Sequence, residues 1–279
     1  MLCGSWERLG QFRHARPWSV RPSPVILGGV SLNFEELDFA DTRFGELILR
    51  RRRVLSLDKT DVYEVKLDGS FLMSSLVNHS EIALTELGLA ALGDSQQSQA
   101  SSGAEHSWDV VVGGLGLGYT AATALADDRV RSLLVVEYLP EVIAWHEKGL
   151  VPLGDELRDN ERCRLQESDF FALAADPEQG FDRATLGRRF HAVLLDIDHS
   201  PDGVLHTSHA ALYEPQGLRR LASHLHPGGV FALWSSESPD PVFAQSLEVA
   251  FESVEAHAVT YFNPLLDRDD TDAIYVCRI

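Results

Sequence analysis

A run of apolar residues that leads directly into four glycines limits the possible folds of this chain more than any other feature. Val110 to Val112 is apolar, and four glycines follow it, at Gly113, Gly114, Gly116 and Gly118. An alanine-rich segment comes next. This order predicts a strand, a tight loop and a helix, because glycine lets the backbone turn sharply and lets a ligand approach the amide N–H groups at a helix start. The spacing from Gly114 is G-x-G-x-G. It does not match the dinucleotide fingerprint G-x-G-x-x-G, because Tyr119 occupies the position of the last glycine of that fingerprint.

From Trp108 onward the chain alternates between strand-like and helix-like segments. Seven runs predict strands, at 109–112, 132–137, 162–167, 191–196, 230–234, 254–259 and 273–278. Helices are predicted between them, at 119–126, 140–148, 209–225 and 241–251. Such alternation predicts an α/β fold with a doubly wound, mostly parallel seven-stranded sheet that is covered on both faces. The helix-free stretch 260–272 predicts an antiparallel pair of strands at the end of the sheet.

The chain divides into four predicted segments. Residues 1–37 form an Arg-rich tail, which is either an organelle transit peptide, a loose leader or an over-extended start. Residues 38–93 predict a small antiparallel β unit, with strands at 46–50, 54–57, 62–67 and 71–73, and a helix over 80–92. The four arginines at 50–53 are expected on a solvated edge. Residues 94–107 are polar and predict a linker, and 108–279 form the nucleoside-binding α/β domain.

Two carboxylates follow the next two predicted strands. Glu137 ends one strand and can accept hydrogen bonds from both hydroxyls of a ribose, or it is a surface acid at a strand end. Asp169 can accept a bond from an adenine amino group, with Phe170 against the ring, or it caps a helix over 170–174. The loop and both acids fall at the carboxyl ends of successive strands. Together they predict a nucleoside pocket.

The fourth strand of the α/β region ends in a third acid. Asp196 is expected at the mouth of the same crevice. Asp198, His199 and Asp202 follow it, but no second cluster of ligating residues accompanies them, so no metal site is predicted. A Pro-Gly-Gly turn at 227–229 is expected to end the preceding helix.

Charge and cysteine content exclude some classes of partner. Against 42 acidic residues stand 24 basic ones, and the net charge of −18 disfavours a nucleic-acid partner and mildly favours cationic ligands, although solubility alone also accounts for it. No window offers about 20 uninterrupted apolar residues, so no membrane segment is predicted. The three cysteines lie far apart and form no zinc spacing or disulfide framework. They indicate a reducing compartment and a cytoplasmic location, with organelle targeting by the tail left open.

The chain resembles the S-adenosylmethionine-binding fold of class I methyltransferases in the order of five features. They are the glycine loop, Glu137, Asp169, Asp196 and the Pro-Gly-Gly turn. The small β unit, with Leu67-Asp68-Gly69 and then Asn78-His79-Ser80-Glu81, resembles more narrowly the spermidine synthases, which have that fold plus an N-terminal β domain. The similarity spans roughly residues 40 to 279. It implies that Glu137 binds the ribose and Asp169 the adenine, with the nucleoside lined by Gly114, Gly116 and Gly118.

The resemblance also assigns an acceptor site. Asp196 stands where aminopropyltransferases keep their catalytic aspartate, and His79 stands where they keep a histidine that contacts substrate. Three further residues are expected to hold or orient the acceptor, namely Asp198, His199 and Tyr213. The chain departs from the family at three positions. An aspartate of the glycine loop, a second acid after the catalytic aspartate and an early glutamine are replaced by Gly116, His199 and Gly45.

Three hypotheses about function stay open. The leading one is transfer of an aminopropyl group from decarboxylated S-adenosylmethionine to a small-molecule amine, with Asp196 as general base. The first alternative is a methyltransferase that uses S-adenosylmethionine, which the missing acids favour. The second alternative is a non-catalytic nucleoside-binding or scaffold protein on the same fold. A homodimer is compatible with all three, because small sheets with exposed edges often pair.

Overall fold

A four-stranded antiparallel sheet begins the part of the chain that the computed structural model describes, which is residues 33–99 and 107–279. Its strands pair in chain order and are β1 (Phe34–Thr42), β2 (Gly45–Val54), β3 (Thr60–Leu67) and β4 (Ser70–Ser74). The predicted antiparallel β unit is confirmed. Its first strand begins inside the predicted tail, and residues 55–57 form a turn rather than a strand. Residues 1–32 of that tail lie outside the described residues.

The four arginines at 50–53 lie in an inner strand, because β2 pairs with β1 on one side and β3 on the other. Arg50 and Arg52 share the buried carboxylate of Glu64. Their neighbours bind acids of the adjoining strands, in the pairs Arg51–Glu35 and Arg53–Asp61. The expectation of a solvated edge is therefore wrong, since acids on both neighbouring strands neutralise this run of charge.

The second sheet of the described residues has seven strands. In chain order they are β5 (Trp108–Gly113), β6 (Val130–Glu137), β7 (Cys163–Glu167), β8 (Phe190–Leu195), β9 (Leu225–Ser235), β10 (Ser253–Asn263) and β11 (Arg268–Arg278). Across the sheet they are ordered β7-β6-β5-β8-β9-β11-β10, and β11 alone runs antiparallel to the other six strands. This confirms the doubly wound, mostly parallel sheet. Because β6 and β8 flank β5, the strand order reverses at β5, which is where open α/β sheets bind ligands.

Helices cover both faces of the large sheet. They are α1 (His79–Gln99), α2 (Tyr119–Ala126), α3 (Pro140–Glu147), α4 (Gly154–Arg158), α5 (Phe170–Ala174), α6 (Ala210–Tyr213), α7 (Pro215–Ala222) and α8 (Pro241–Leu247). Alternate residues of β5 enter different cores: Val110 and Val112 face the side of α1 to α4, and Val111 faces α5, α7 and α8. None of the described helices is long and apolar enough to cross a membrane.

Helix α1 joins the two sheets and packs on the large one, against β9 and β11. Gly88 permits this close approach, because a Cβ there would lie 2.9 Å from the Leu194 side chain. The helix includes the predicted segment 80–92 and continues through the first residues of the predicted linker. Residues 100–106 of that linker lie outside the described residues, and the boundary between two domains stays a prediction.

Two predicted features near the end of the chain are wrong. The single helix over 209–225 is divided, because Glu214 precedes Pro215 and has an extended backbone with ψ of 153°. The Pro-Gly-Gly segment does not end a helix; it lies inside β9 as a bulge. The pairing of β8 with β9 jumps from Phe190↔Leu225 to Ala192↔Val230 across this segment.

Candidate active site

The glycine loop follows β5 and fits closely between its neighbours. Gly114 has φ of +93°, and a Cβ there would lie 2.2 Å from the carbonyl oxygen of Asp196. Gly118 has φ of +94° and precedes α2 directly. Gly116, with φ of +49°, packs beside Met73 of β4, whose sulfur lies 3.0 Å from the place of a Cβ. Positive φ and contact with backbone explain why the loop needs glycine at Gly114.

Glu137 reaches back from the end of β6 and binds the glycine loop. One carboxylate oxygen accepts a hydrogen bond from the N–H of Leu115 at 2.9 Å. The other accepts from the N–H groups of Tyr138 and Leu139, at 2.7 and 2.8 Å. Burial raises the pKa of Glu137 above its usual range, although these backbone donors favour the charged form. The backbone of Gly116 also hydrogen-bonds this carboxylate, so Glu137 is fixed against the glycine loop, and its binding of a ribose stays a prediction.

Two aromatic side chains that sequence reasoning missed adjoin this acid. Tyr138 follows Glu137 directly, and the Arg43 guanidinium lies over its ring, 4.5 Å from the centroid. The Phe44 ring centroid is 5.4 Å from that of Tyr138. These contacts bring the β1–β2 turn of the small sheet to the end of β6, beside Tyr138. No local pattern signals them, because Arg43 and Tyr138 are 95 positions apart.

Asp169 lies at the carboxyl end of β7 and caps α5, where its side chain accepts a hydrogen bond from Ala172 N–H at 3.1 Å. The capping alternative is thus realised, and its binding of adenine stays a prediction. Phe170 is 2% exposed, and its ring centroid lies 4.8 Å from that of Phe181 in a stacked pair. Its contacts are those of a core residue, which corrects the expectation that this ring lies free to stack on an adenine.

Asp196 follows β8 and lies beside the glycine loop. Its carboxylate accepts a hydrogen bond from the Thr120 hydroxyl at 2.6 Å. Burial raises the pKa of Asp196 to about 6, and the negative charge of Asp272 adds to this effect against the Thr120 hydrogen bond. An acid with a pKa near neutrality can accept and return a proton at physiological pH.

Two further acids, which the sequence analysis did not select, lie close to Asp196. Burial, then the charges of Asp196 and Asp272, raises the pKa of Glu81 in the first turn of α1 to about 8. Asp272 on β11 is 6% exposed. We refer to Glu81, Asp196 and Asp272 as the acid cluster. In the part of the chain that the structure describes, none of the three forms an ion pair with a lysine or arginine.

Asp272 is fixed by three donors that all bind the same oxygen, Oδ2. They are the Ser80 hydroxyl at 2.5 Å, the Trp234 indole N–H at 3.1 Å and the Tyr261 hydroxyl at 3.2 Å. The His79 ring stacks on Tyr261, with centroids 5.3 Å apart and planes 3° from parallel. The predicted substrate residue His79 therefore lies beside the acid cluster. Aromatic rings next to carboxylates suit a cationic ligand.

The other predicted acceptor residues have different surroundings. Asp198 is 1% exposed and accepts hydrogen bonds from Leu205 N–H, His209 Nδ1 and the Tyr213 hydroxyl, at 2.8, 2.8 and 2.9 Å. Burial and the Asp198 charge raise the pKa of Tyr213. This pair ties the segment after β8 to α6, and Asp198 is almost fully buried, so both side chains make contacts within the fold rather than present a polar group to a substrate. This corrects their expected role.

His199 is closer to the acid cluster. Its ring centroid lies 6.3 Å from that of Trp234, which donates to Asp272. Its Nδ1 atom is buried and, among the described residues, has no hydrogen-bond partner. No group of three or more His, Cys, Asp or Glu side chains in residues 33–99 and 107–279 is arranged to hold a metal ion.

Comparison with known proteins shows similarity in structure but not in sequence. No family model and no curated protein sequence matches the chain. Among solved structures, a spermidine synthase in complex with the transition-state analogue AdoDATO has a TM-score of 0.63 at 13% identity, with 87% of this chain and 73% of that one covered. The spermidine synthase from Thermotoga maritima has a TM-score of 0.62 at 13% identity, covering 87% and 72%.

A probable spermidine synthase from Corynebacterium glutamicum has a TM-score of 0.54 at 14% identity, covering 86% of this chain and 79% of that one. All three matches extend over both sheets, because more than four fifths of the chain is covered. With its small antiparallel sheet and its seven-stranded methyltransferase-like sheet, the chain has the fold of the spermidine synthases.

Proposed function

We propose that the chain is a spermidine synthase-like transferase, which moves an aminopropyl group from decarboxylated S-adenosylmethionine to a small-molecule amine. The acid cluster carries this proposal. Three carboxyl groups without a described cationic partner lose hydration here and disfavour one another's negative charge, and both effects are relieved when a protonated amine binds. An uncharged acceptor would leave the negative charge of the acid cluster uncompensated.

The glycine loop and the two strand-end acids support a nucleoside beside that cluster. Gly114 and Gly118 let the loop backbone approach a ligand, and Glu137 is fixed against that loop by hydrogen bonds from its backbone. Asp169 lies at the carboxyl end of β7, on the same edge of the sheet. The contact between Gly114 and the Asp196 backbone brings the proposed nucleoside loop next to the proposed base.

The reaction needs alignment and one proton acceptor. The amine nitrogen forms a bond to the carbon beside the sulfonium, while the carbon–sulfur bond breaks and its electron pair returns to sulfur, giving methylthioadenosine. An alkylamine has a reference pKa near about 10.4 and arrives protonated, so one proton must leave the nitrogen before attack. Asp196, with its pKa of about 6, takes that proton, and Glu81 and Asp272 hold the ammonium group until then.

Methyl transfer from S-adenosylmethionine is the second candidate, and one observation favours it. Gly116 stands where the spermidine synthases have an acid in the glycine loop, and the Met73 sulfur packs against that place. The loop therefore offers no carboxylate to hold the ammonium end of an aminopropyl group. A methyl group needs no such partner. Both candidates use an amine acceptor at the acid cluster and differ in the donor.

Product analysis decides between the two candidates. The protein is incubated with a panel of primary amines and either decarboxylated S-adenosylmethionine or S-adenosylmethionine, and the nucleoside product is identified by mass spectrometry. We expect methylthioadenosine from the first donor. S-adenosylhomocysteine from the second donor alone would overturn aminopropyl transfer in favour of methyl transfer. Nucleoside binding by calorimetry without either product would support a non-catalytic protein and overturn both.

A further inference from the structure

A buried histidine lies directly beneath the glycine loop. His146, in the last turn of α3, is 0% exposed, and its Nε2 atom lies 3.0 Å from the carbonyl oxygen of Gly116. Its Cε1 atom would lie 2.9 Å from a Cβ on Gly118, so the ring packs against two of the loop glycines. Its Nδ1 atom is buried and has no hydrogen-bond partner within the described residues.

These contacts fix the protonation state of His146. A carbonyl oxygen can only accept, so Nε2 carries the hydrogen and Nδ1 has a bare lone pair. A second proton would place an N–H group in the core without an acceptor, which is costly. Burial accordingly lowers the pKa of His146, against the opposing effect of the Gly116 hydrogen bond. The imidazole is therefore neutral at physiological pH and acts as a fixed donor to the loop.

The hydrogen bond from His146 sets the direction of one backbone amide. The described chain has no cis peptide bond, so the carbonyl of Gly116 and the N–H of Leu117 point in opposite directions. The neighbouring amides are already used, since Leu115 N–H binds Glu137 and Gly118 N–H binds the Leu115 carbonyl. The Leu117 N–H donates none of the hydrogen bonds described for residues 33–99 and 107–279. It points away from His146, and its hydrogen is not committed to a partner within these residues.

We propose that His146 is a positioning residue, which orients the Leu117 N–H through the Gly116 carbonyl so that this amide binds the nucleoside donor. The inference rests on the proposed nucleoside site and adds a residue that does not touch the ligand. Without the His146 donor, the peptide between Gly116 and Leu117 can rotate, and ligand binding must order it again. The affinity for the nucleoside then falls, while the acid cluster is unaffected.

The chain offers a matched control for this residue. His224 is 2% exposed, and its Nε2 atom also lies 3.0 Å from a backbone carbonyl, that of Ala174 at the end of α5. Burial lowers the pKa of His224 as well. It differs from His146 in that its partner lies outside the glycine loop. Replacing either residue removes the same kind of hydrogen bond from the same depth.

Calorimetry with methylthioadenosine tests the proposal on the full chain. We expect His146→Leu to raise the Kd by about three- to tenfold, the effect of one net hydrogen bond, and His146→Gln, which keeps an N–H donor, to recover most of that loss. His224→Leu should lower the melting temperature and leave the Kd unchanged. Equal weakening by both leucine variants would indicate a merely structural role and overturn the proposal.

A measurement on the unmodified protein keeps the proposal testable if His146→Leu does not fold. In ¹⁵N-resolved NMR spectra, the Leu117 amide proton should shift downfield when methylthioadenosine is added, as a newly formed hydrogen bond requires. Binding that leaves the Leu117 resonance unchanged overturns the role of His146 while the proposed function stands. A wild-type chain that binds neither methylthioadenosine nor S-adenosylhomocysteine overturns both.

Discussion

Binding of a protonated amine at the acid cluster should release a proton, and Glu81 is its source. With a pKa of about 8, the Glu81 carboxyl is about 90% protonated at pH 7 in the empty site. A positive charge about 4 Å away stabilises the carboxylate by about 4 kcal/mol at an effective dielectric constant of about 20. This brings the pKa of Glu81 to about 5, because about 1.4 kcal/mol corresponds to one pKa unit. Each ammonium group bound therefore releases close to one proton.

Calorimetry measures this release directly. 1,4-Diaminobutane is titrated at pH 7 into protein saturated with methylthioadenosine, which has no group to transfer, in buffers of different ionisation enthalpy. The slope of the observed heat against the buffer enthalpy gives the number of protons released. Glu81→Gln should reduce the number of protons released to about 0.1, which is the contribution of Asp196. Glu86→Gln, at an exposed position of the same helix, should leave that number unchanged. Amine binding without proton release in the wild type would refute the reasoning.

Substitutions at Glu81, Asp196 and Gly114 have measurable effects on stability or turnover. Because its pKa is raised, Glu81 binds a proton more tightly in the folded state than in the unfolded one. The free energy of unfolding should therefore fall by a few kcal/mol as the pH rises from about 4.5 to about 8. Urea unfolding of Glu81→Gln over the same pH range should not show this decrease. Asp196→Asn should lower turnover by about 10²-fold in steady-state assays and keep the Kd for methylthioadenosine; unchanged turnover would make Asp196 structural. Gly114→Ala should lower the free energy of unfolding by about 3 kcal/mol in thermal unfolding, because the new Cβ would clash with the backbone of Asp196. Gly69→Ala, where a Cβ has open space, should lower it by about 1 kcal/mol.

Local patterns were sufficient to predict the large sheet and the residues that lie around the glycine loop. An apolar strand that runs into glycines needs no distant contact to be identified, and the strand order then brings the loop, Glu137 and Asp196 together. The same reasoning failed where pairing decides the structure. The Pro-Gly-Gly segment was expected to end a helix, but Leu225 before it already pairs with β8, so the segment becomes a bulge.

The acid cluster could not be predicted in the same way. Asp272 lies in a polar run, and the residues before Ala273 were expected to connect two strands. Pairing with β10 makes them part of β11, and Asp272 is buried there. Glu81 becomes part of the cluster because α1 packs on the large sheet. Asp198 shows the opposite error: its sequence position suggested a ligand, but its hydrogen bonds are filled by residues up to 15 positions away.

The contact between Met73 and Gly116 gives the final prediction, which concerns the choice of donor. An aspartate tolerates the left-handed backbone of Gly116, but its Cβ would lie 3.0 Å from the Met73 sulfur, so the acid is best introduced together with Met73→Ala, which removes this close contact. A carboxylate there attracts the ammonium end of an aminopropyl group and repels the carboxylate of S-adenosylmethionine. The double variant Met73→Ala/Gly116→Asp should therefore favour decarboxylated S-adenosylmethionine by about tenfold or more in competitive binding, relative to Met73→Ala alone. An unchanged ratio of affinities would mean that the transferred group does not lie beside Gly116, and the donor would have to be sought in another orientation.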